Sequence, residues 1–223
     1  MDARVFLQNP YVNRSAIDSE TDFFGRIAEL RSIYSRVTGG QSVYLIGERR
    51  VGKSSILNAL DFPTQREEFG IPGDYVFTKI DLQFLSGCSE ETFLACLQNS
   101  MSDVLDIPLQ SPDRRGMELA ARNAKKSGRR LTILLDEFDV LVNNPRISGG
   151  FLGFLRSWSA MFKIPFVGAF KEGSTQRLAE DDKTGSAFLN IFGSVYVGAL
   201  DEDDARELVT IPARAVGVEF TNE

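Results

Sequence analysis

The first chemistry in this chain lies in Gly47-Glu48-Arg49-Arg50-Val51-Gly52-Lys53-Ser54, the pattern G-x-x-x-x-G-K-S. Glycines at both ends let the backbone curl so that successive N–H groups point inward, and a following helix start adds positive potential. Between a strand and a helix, such a stretch is a phosphate-binding loop. Lys53 then reaches the β- and γ-phosphates, the Ser54 hydroxyl ligates Mg²⁺, and Ser55 stands beside them at the head of the helix. A second reactive group lies well downstream, where the apolar run Leu131–Leu135 ends in Asp136-Glu137-Phe138-Asp139. A carboxylate at that place holds Mg²⁺, usually through water, and an adjacent one can polarise the water that attacks a γ-phosphate. Neighbouring residues on a strand leave the backbone in different directions, so the two acids can divide these tasks. Asp136 is therefore expected to share the metal with Ser54, and Glu137 to serve the chemistry with Lys53. Asp139 is expected to cap the following turn.

These groups need a frame, and the sequence supplies one. Gln41–Ile46 is β-branched and aromatic and reads as the strand before the loop. Ser55–Leu60 carries apolar residues at helical spacing after it. Upstream, Arg26–Val37 presents Ile27, Leu30, Ile33, Tyr34 and Val37 at helical spacing and is stopped by Gly39-Gly40. Asp61–Gly73 is turn-rich and reads as a surface connection, and Tyr75–Gln83 as a strand. Ser89 caps a helix through Phe93, Leu97, Met101 and Val104. Ser111-Pro112-Asp113 reads as a cap, a first-turn proline and a first-turn acid, opening a helix that runs to about Ser127 before Gly128. The cations of Lys125-Lys126 and Arg129-Arg130 complement that helix's C-terminus rather than forming a nucleic-acid patch. Gly149–Phe162 reads as a helix with Phe151, Leu155, Trp158 and Phe162 as core residues. Ile164–Phe170 and Ser194–Val197 complete the strands, with a loop and short helix between them. Asp201–Asp204 opens a last helix that is expected to stop near Pro212. Strands alternating with helices, three of them continuous apolar runs, predict a three-layer αβα sandwich of the P-loop NTPase type with a mainly parallel five-stranded sheet. Residues 1–25 read as an N-terminal arm, and residues 26–223 as the core.

Composition removes several alternatives. The 223 residues are 43% hydrophobic and 25% charged, the balance of an ordinary globular chain. A net charge of −6 argues against a general nucleic-acid footprint. There is no histidine, which excludes histidine acid–base catalysis and histidine metal ligands. Cys88 and Cys96 have no metal-binding spacing and suit small core residues in a reducing compartment. The N-terminus lacks the basic and apolar regions of a signal peptide, and runs such as Ile164–Phe170 are too short to span a bilayer. The expected location is the cytoplasm, with no membrane partner.

Taken in order, Phe24-Gly25-Arg26-Ile27-Ala28-Glu29-Leu30, GERRVGKSSIL, ILLDEFD and Val197-Gly198-Ala199-Leu200-Asp201-Glu202 resemble the STAND and origin-recognition-like branch of the AAA+ ATPases. The likeness is strongest to the prokaryotic STAND-type ATP-binding proteins and covers about residues 9–216. It implies that Tyr11, Phe24 and Gly25 lie on the base side of a nucleotide pocket, and that Arg49-Arg50 match the paired arginines of such loops. A base-reading N-K-x-D is missing, and the D-x-x-G at Asp22–Gly25 precedes the loop, so ATP is expected rather than GTP. The polar sensor of that family is replaced here by Lys171 or Ser174. An arginine from a neighbouring subunit often assists hydrolysis in these relatives, with Arg156, Arg177, Arg206 and Arg214 as candidates. The family's helical lid and winged-helix region, with its Gly-x-Pro contact, is expected to follow residue 216.

The resulting expectation is an ATP-binding, Mg²⁺-dependent ATPase, slow in isolation. It would act as a regulatory or signalling switch between ATP and ADP states through a protein partner or self-association of the core. Two alternatives stand beside it: a DNA-associated ATPase of the origin-recognition kind, and a nucleotide-binding interaction module with negligible turnover. Salt-dependent DNA affinity separates the first, and a turnover assay the second.

Overall fold

Apolar runs bounded by glycine and acid turns become the strands of one sheet: β1 (Ser42–Gly47), β2 (Tyr75–Asp81), β3 (Arg130–Asp136), β4 (Phe166–Lys171) and β5 (Phe192–Tyr196). The computed structural model describes residues 9–11, 15–171, 173, 190–218 and 220. All four strand pairs are parallel, in the order β2–β3–β4–β1–β5. Among the described residues the α-helices are α1 (Ile27–Thr38), α2 (Lys53–Ala59), α3 (Pro63–Glu68), α4 (Glu90–Leu105), α5 (Arg114–Lys126), α6 (Asp139–Val142), α7 (Gly149–Phe162) and α8 (Glu202–Ala215).

Alternation along the strands divides the interior into two cores. Leu131, Ile133 and Leu135 of β3 join Val76, Ile80, Phe166 and Phe170 beneath α4, α5 and α7, around the fully buried Phe93, Phe151 and Trp158. Leu134 faces the other way, with Val43, Leu45 and Val167, against Leu30, Ile33 and Val37 of α1 and Ile56 and Leu57 of α2. The result is the expected three-layer αβα sandwich around a five-stranded sheet.

The structure moves several boundaries. Helix α5 begins at Arg114, capped by Asp113, whose carboxylate accepts from Gly116 N at 2.7 Å. Ser111 is not the cap. Its carbonyl accepts from Asp113 N at 2.8 Å and Gln98 Nε2 at 2.6 Å, which folds Ser111-Pro112 into a turn ahead of the helix. Helix α8 continues through Pro212 to Ala215 instead of stopping there. A proline removes one N–H donor, and near the end of a largely exposed helix that loss does not outweigh one further turn. Strand β2 ends at Asp81, and Leu82–Leu85 forms a 3₁₀ turn capped by the Asp81 carboxylate. The Asp61–Gly73 connection contains α3, and β5 starts two residues earlier than expected, at Phe192. The loop and short helix expected before β5 lie almost wholly outside the described residues.

Candidate functional site

The carboxyl ends of β1, β3 and β4 meet at one edge of the sheet, with β4 between the other two. Gly47, the last residue of β1, stands opposite Lys171, the last of β4. A side chain at Gly47 would have its Cβ only 2.3 Å from the Val197 carbonyl, so glycine is needed for the segment after β5 to pass close by. Gly52 ends the loop at φ 102°, a left-handed conformation that suits glycine, and open space surrounds it. Arg50 also takes a left-handed conformation, which sharpens the loop's curl. Lys53 begins α2 and arches back over this loop, donating to Gly47 O at 2.8 Å and Glu48 O at 2.7 Å. Burial pushes its ammonium below the ordinary lysine pKa, opposed by the nearby carboxylates of Glu137, Asp136 and Asp139.

The Ser54 hydroxyl donates to Asp136 Oδ1 at 2.9 Å, so the two expected metal ligands are in direct contact. Asp136 also accepts from its neighbour's backbone, Glu137 N, at 3.1 Å, and pairs through Oδ2 with Lys79 at 3.1 Å. Glu137 lies just past the end of β3, not on it, in a left-handed conformation at φ 52°. That costs about 1 kcal/mol for a non-glycine residue and swings Glu137 out of the strand's alternation. Its carboxylate meets Lys171 Nζ at 2.9 Å, and Asp139 Oδ2 approaches the same ammonium at 3.5 Å. The bond to Glu137 raises the pKa of Lys171 above the ordinary lysine value, against the opposing effect of burial. Asp139 opens α6, and its Oδ1 is buried without a hydrogen-bond partner. Just beyond Glu137, the Phe138 ring packs where a Cβ on Gly168 would sit, 2.5 Å away, which locks the turn onto β4.

A cleft of about 670 Å³ opens over these groups, lined by Arg49, Arg50, Gly52, Lys53, Ser54, Asp136, Glu137 and Lys171. Its volume and its mixture of cations and carboxylates fit a polyphosphate with a divalent cation. Among the described residues no group of three or more His, Cys, Asp or Glu side chains is arranged to hold a metal alone. A metal here would rely on Ser54, Asp136 and phosphate oxygens together, which suits magnesium.

A second cleft of about 590 Å³ shares Arg50, Gly52 and Ser55 with the first. Its walls are largely apolar: Tyr11, Ile17, Phe23, Phe24, Val51, Leu208, Val209 and Pro212. The Tyr11 hydroxyl donates to the Val209 carbonyl, tying the arm to α8. Tyr11 and Phe24, which the resemblance implied for the base side, both line this cleft. Gly25 does not line either cleft. It sits at φ 66° just ahead of α1, with the Asp204 carboxylate 2.0 Å from where its Cβ would be, so it is a glycine that lets the first turn of α8 pack close. Glu48 is exposed and takes part through its backbone carbonyl.

Three contributors were not legible as site residues. Arg26, only 8% exposed, bonds through its guanidinium to Glu29 at 2.9 Å, Gly198 O at 2.8 Å and Val51 O at 2.9 Å. It joins α1, the loop and the segment before α8. The other two are Lys79 and Asn58. The available signal for Lys79 was a lysine inside a largely buried parallel strand, which requires a partner for its charge. Of the expected sensors, Lys171 is in the cleft and Ser174 lies outside the described residues. Arg177 also lies outside them, and Arg156, Arg206 and Arg214 are exposed.

A G-x-x-x-x-G-K-S loop after β1, facing a strand-end carboxylate across a parallel sheet, defines a P-loop NTPase. Residues 35–222 match the novel STAND NTPase 2 family, and the chain belongs to that family. Among solved structures the chain is similar to the Walker-type ATPase of Pyrococcus abyssi, with a TM-score of 0.67 and 19% identity over 94% of this chain and 63% of that one. It is also similar to the Aeropyrum pernix ORC2 protein in ADPNP–ADP complexes, with a TM-score of 0.68 and 14% identity over 91% of this chain and 54% of that one. The Aeropyrum pernix ORC1 protein in complex with DNA matches with a TM-score of 0.57 and 14% identity, over 89% of this chain and 51% of that one. The chain spans between 51% and 63% of the length of these structures. No curated protein matches it in sequence. Among the described residues no helix is long and apolar enough to cross a membrane.

Proposed function

We infer that the chain is a cytoplasmic, Mg²⁺-dependent ATPase acting as a nucleotide-controlled switch. The 2.9 Å contact between Ser54 and Asp136 carries this reading, because it pairs the loop hydroxyl and the strand-end carboxylate that a phosphate-bound metal requires. Lys53 releases its two loop carbonyls and takes the β- and γ-phosphates. Ser54 and Asp136 would hold a Mg²⁺ ion that enters with the nucleotide and would supply neutralisation of phosphate charge, and Glu137 orients the attacking water. Lys171 fills the sensor position. In the structure its ammonium neutralises Glu137, and a γ-phosphate competes for the same charge, so triphosphate and diphosphate leave Glu137 in different surroundings.

The apolar second cleft takes the base, with Tyr11 and Phe24 of the arm (residues 1–25) against the core (residues 26–223). Adenine is favoured because N-K-x-D is missing from the sequence. A base held between the arm and α8 makes α8 sensitive to nucleotide state, which is what a switch that docks a protein partner or a second copy needs. The test is calorimetry with Mg-ATP on the wild type and Lys53→Ala. Affinity should fall by about 100-fold or more on loss of this fixed cation. Equal affinity in the two proteins would remove the loop from the site.

A further inference from the structure

Lys79 lies on the same face of β2 as Tyr75 and Phe77, whose side chains belong to the core under α1 and α2. It continues that row to the carboxyl end of the sheet. There its ammonium pairs with Asp136 Oδ2 at 3.1 Å and donates to Asn58 Oδ1 at 2.8 Å. Asn58 sits on α2, and its Nδ2 donates to the Ile17 carbonyl of the arm at 2.7 Å. Ile17 N in turn donates to Ser55 Oγ at 3.0 Å, next to Ser54, which donates to Asp136 Oδ1 at 2.9 Å. The contacts close a ring that runs from the strand-end carboxylate to the arm and back through α2. Asp136 lines the phosphate cleft and Ile17 lines the base cleft.

The chemistry of an amide makes this ring directional. An asparagine offers one carbonyl and one NH₂, and its orientation is set by what each end meets. Lys79 can only donate, so it forces Oδ1 of Asn58 toward itself and thereby Nδ2 toward Ile17 O. Without the ammonium, the Asn58 amide loses that preference and the arm loses its donor. A purely structural role needs none of this. The stem of Lys79 packs beside α2, and a methionine of similar length would fill the same space.

We propose that Lys79 is a positioning residue that, through Asn58, holds the Ile17 wall of the base cleft in register with Asp136. This rests on the reading of the two clefts as one nucleotide site. The base side is then set in place by the protein's own cation before any metal binds.

The test uses metal-free calorimetry with two probes: ADP, which engages both clefts, and inorganic tripolyphosphate, which engages only the phosphate side. Asn58→Ala should weaken ADP binding about five- to tenfold, the worth of one hydrogen bond lost from the arm, while tripolyphosphate affinity stays within about twofold. Lys79→Met also uncovers the Asp136 carboxylate beside the phosphates, so it should weaken both probes, ADP by about five- to tenfold more than tripolyphosphate. The double variant should bind ADP no more weakly than Lys79→Met, because both break one bridge. A further ADP loss in the double variant, unchanged ADP affinity, or equal losses for both probes would overturn the proposal. Should Lys79→Met fail to fold, Asn58→Ala with the two probes decides the matter on the same criteria. A wild type that binds neither probe would instead defeat the nucleotide reading itself.

Discussion

The two clefts, the first proposed above for the phosphates and the second for the base, are built from different material. The first is formed where three parallel strands end, and its side chains are held by short bonds among those strand ends and α2: Ser54 to Asp136, Lys171 to Glu137, Lys79 to Asp136. The base cleft is formed by the arm and α8, with exposed apolar walls such as Tyr11, Leu208 and Val209. Strand ends inherit the rigidity of the sheet, because moving one costs ladder bonds and core contacts. The described residues of the arm are held instead by a few side-chain bonds, Ile17 to Ser55 and Asn58 and Tyr11 to Val209, so fewer contacts are lost when that wall shifts. A protein that must keep its chemistry fixed while reporting nucleotide state gains from this division. Substitutions in the first cleft should therefore have large effects that are specific to one chemical step, and those in the second smaller effects on affinity alone.

The largest effect expected inside the rigid half is on turnover. Glu137→Gln keeps size and hydrogen bonding but loses basicity, so steady-state hydrolysis should fall ~10²-fold or more while ATP binding persists. Asp136→Asn should weaken Mg²⁺-dependent binding as well, since its partner Ser54 faces the metal position. Phosphate release at the wild-type rate in Glu137→Gln would mean that the two acids are wrongly assigned, and Asp139 would be the next to test.

A more moderate effect should follow from Lys171. Its ammonium is shared by Glu137 and Asp139, both on the β3 side, while its backbone stands opposite Gly47. Lys171→Met should reduce the preference for a non-hydrolysable ATP analogue over ADP by about tenfold, the value of one charge-assisted bond to the terminal phosphate. ADP affinity itself should change little. Equal weakening of both nucleotides, measured by competition calorimetry, would show that Lys171 supports the fold of the cleft without distinguishing the third phosphate.

The same division decided what could be read in the sequence. Gly47–Ser54 and Asp136-Glu137 were legible because their chemistry depends on local spacing and on strands that are continuous apolar runs. Even there, β4's place between β1 and β3 was not, since strand order depends on crossovers that leave no local signal. That placement is what delivers Lys171 to Glu137. The residues implied for a base were reached only through resemblance. Tyr11 and Phe24 line the second cleft, whereas Gly25 serves the approach of Asp204. Arg26 and Asn58 escaped notice because each acts through partners distant in sequence: Gly198 for the one, Ile17 and Lys79 for the other. The boundaries that moved, at Asp113 and Pro212, did so where a capping carboxylate or one extra turn prevailed over a proline signal.

The smallest effect, and the sharpest probe of the comparison, belongs to Tyr11. Its side chain is 46% exposed, so its ring forms only part of the cleft wall, and its hydroxyl tethers the arm to Val209 O on α8. Tyr11→Ala removes both contributions, yet a half-exposed aromatic wall is worth well under a fully buried one. ADP affinity should fall by about threefold, roughly 0.6 kcal/mol, and tripolyphosphate affinity should not change. Tyr11→Phe separates the two contributions, because it keeps the ring and removes the tether. If the ring is the main contact, Tyr11→Phe should bind ADP as the wild type does. If the tether matters more, it should resemble Tyr11→Ala, and the arm would then owe its position to α8. Should Tyr11→Ala weaken tripolyphosphate as much as ADP, the arm would act through the phosphate cleft. The two halves could then no longer be treated as separately built.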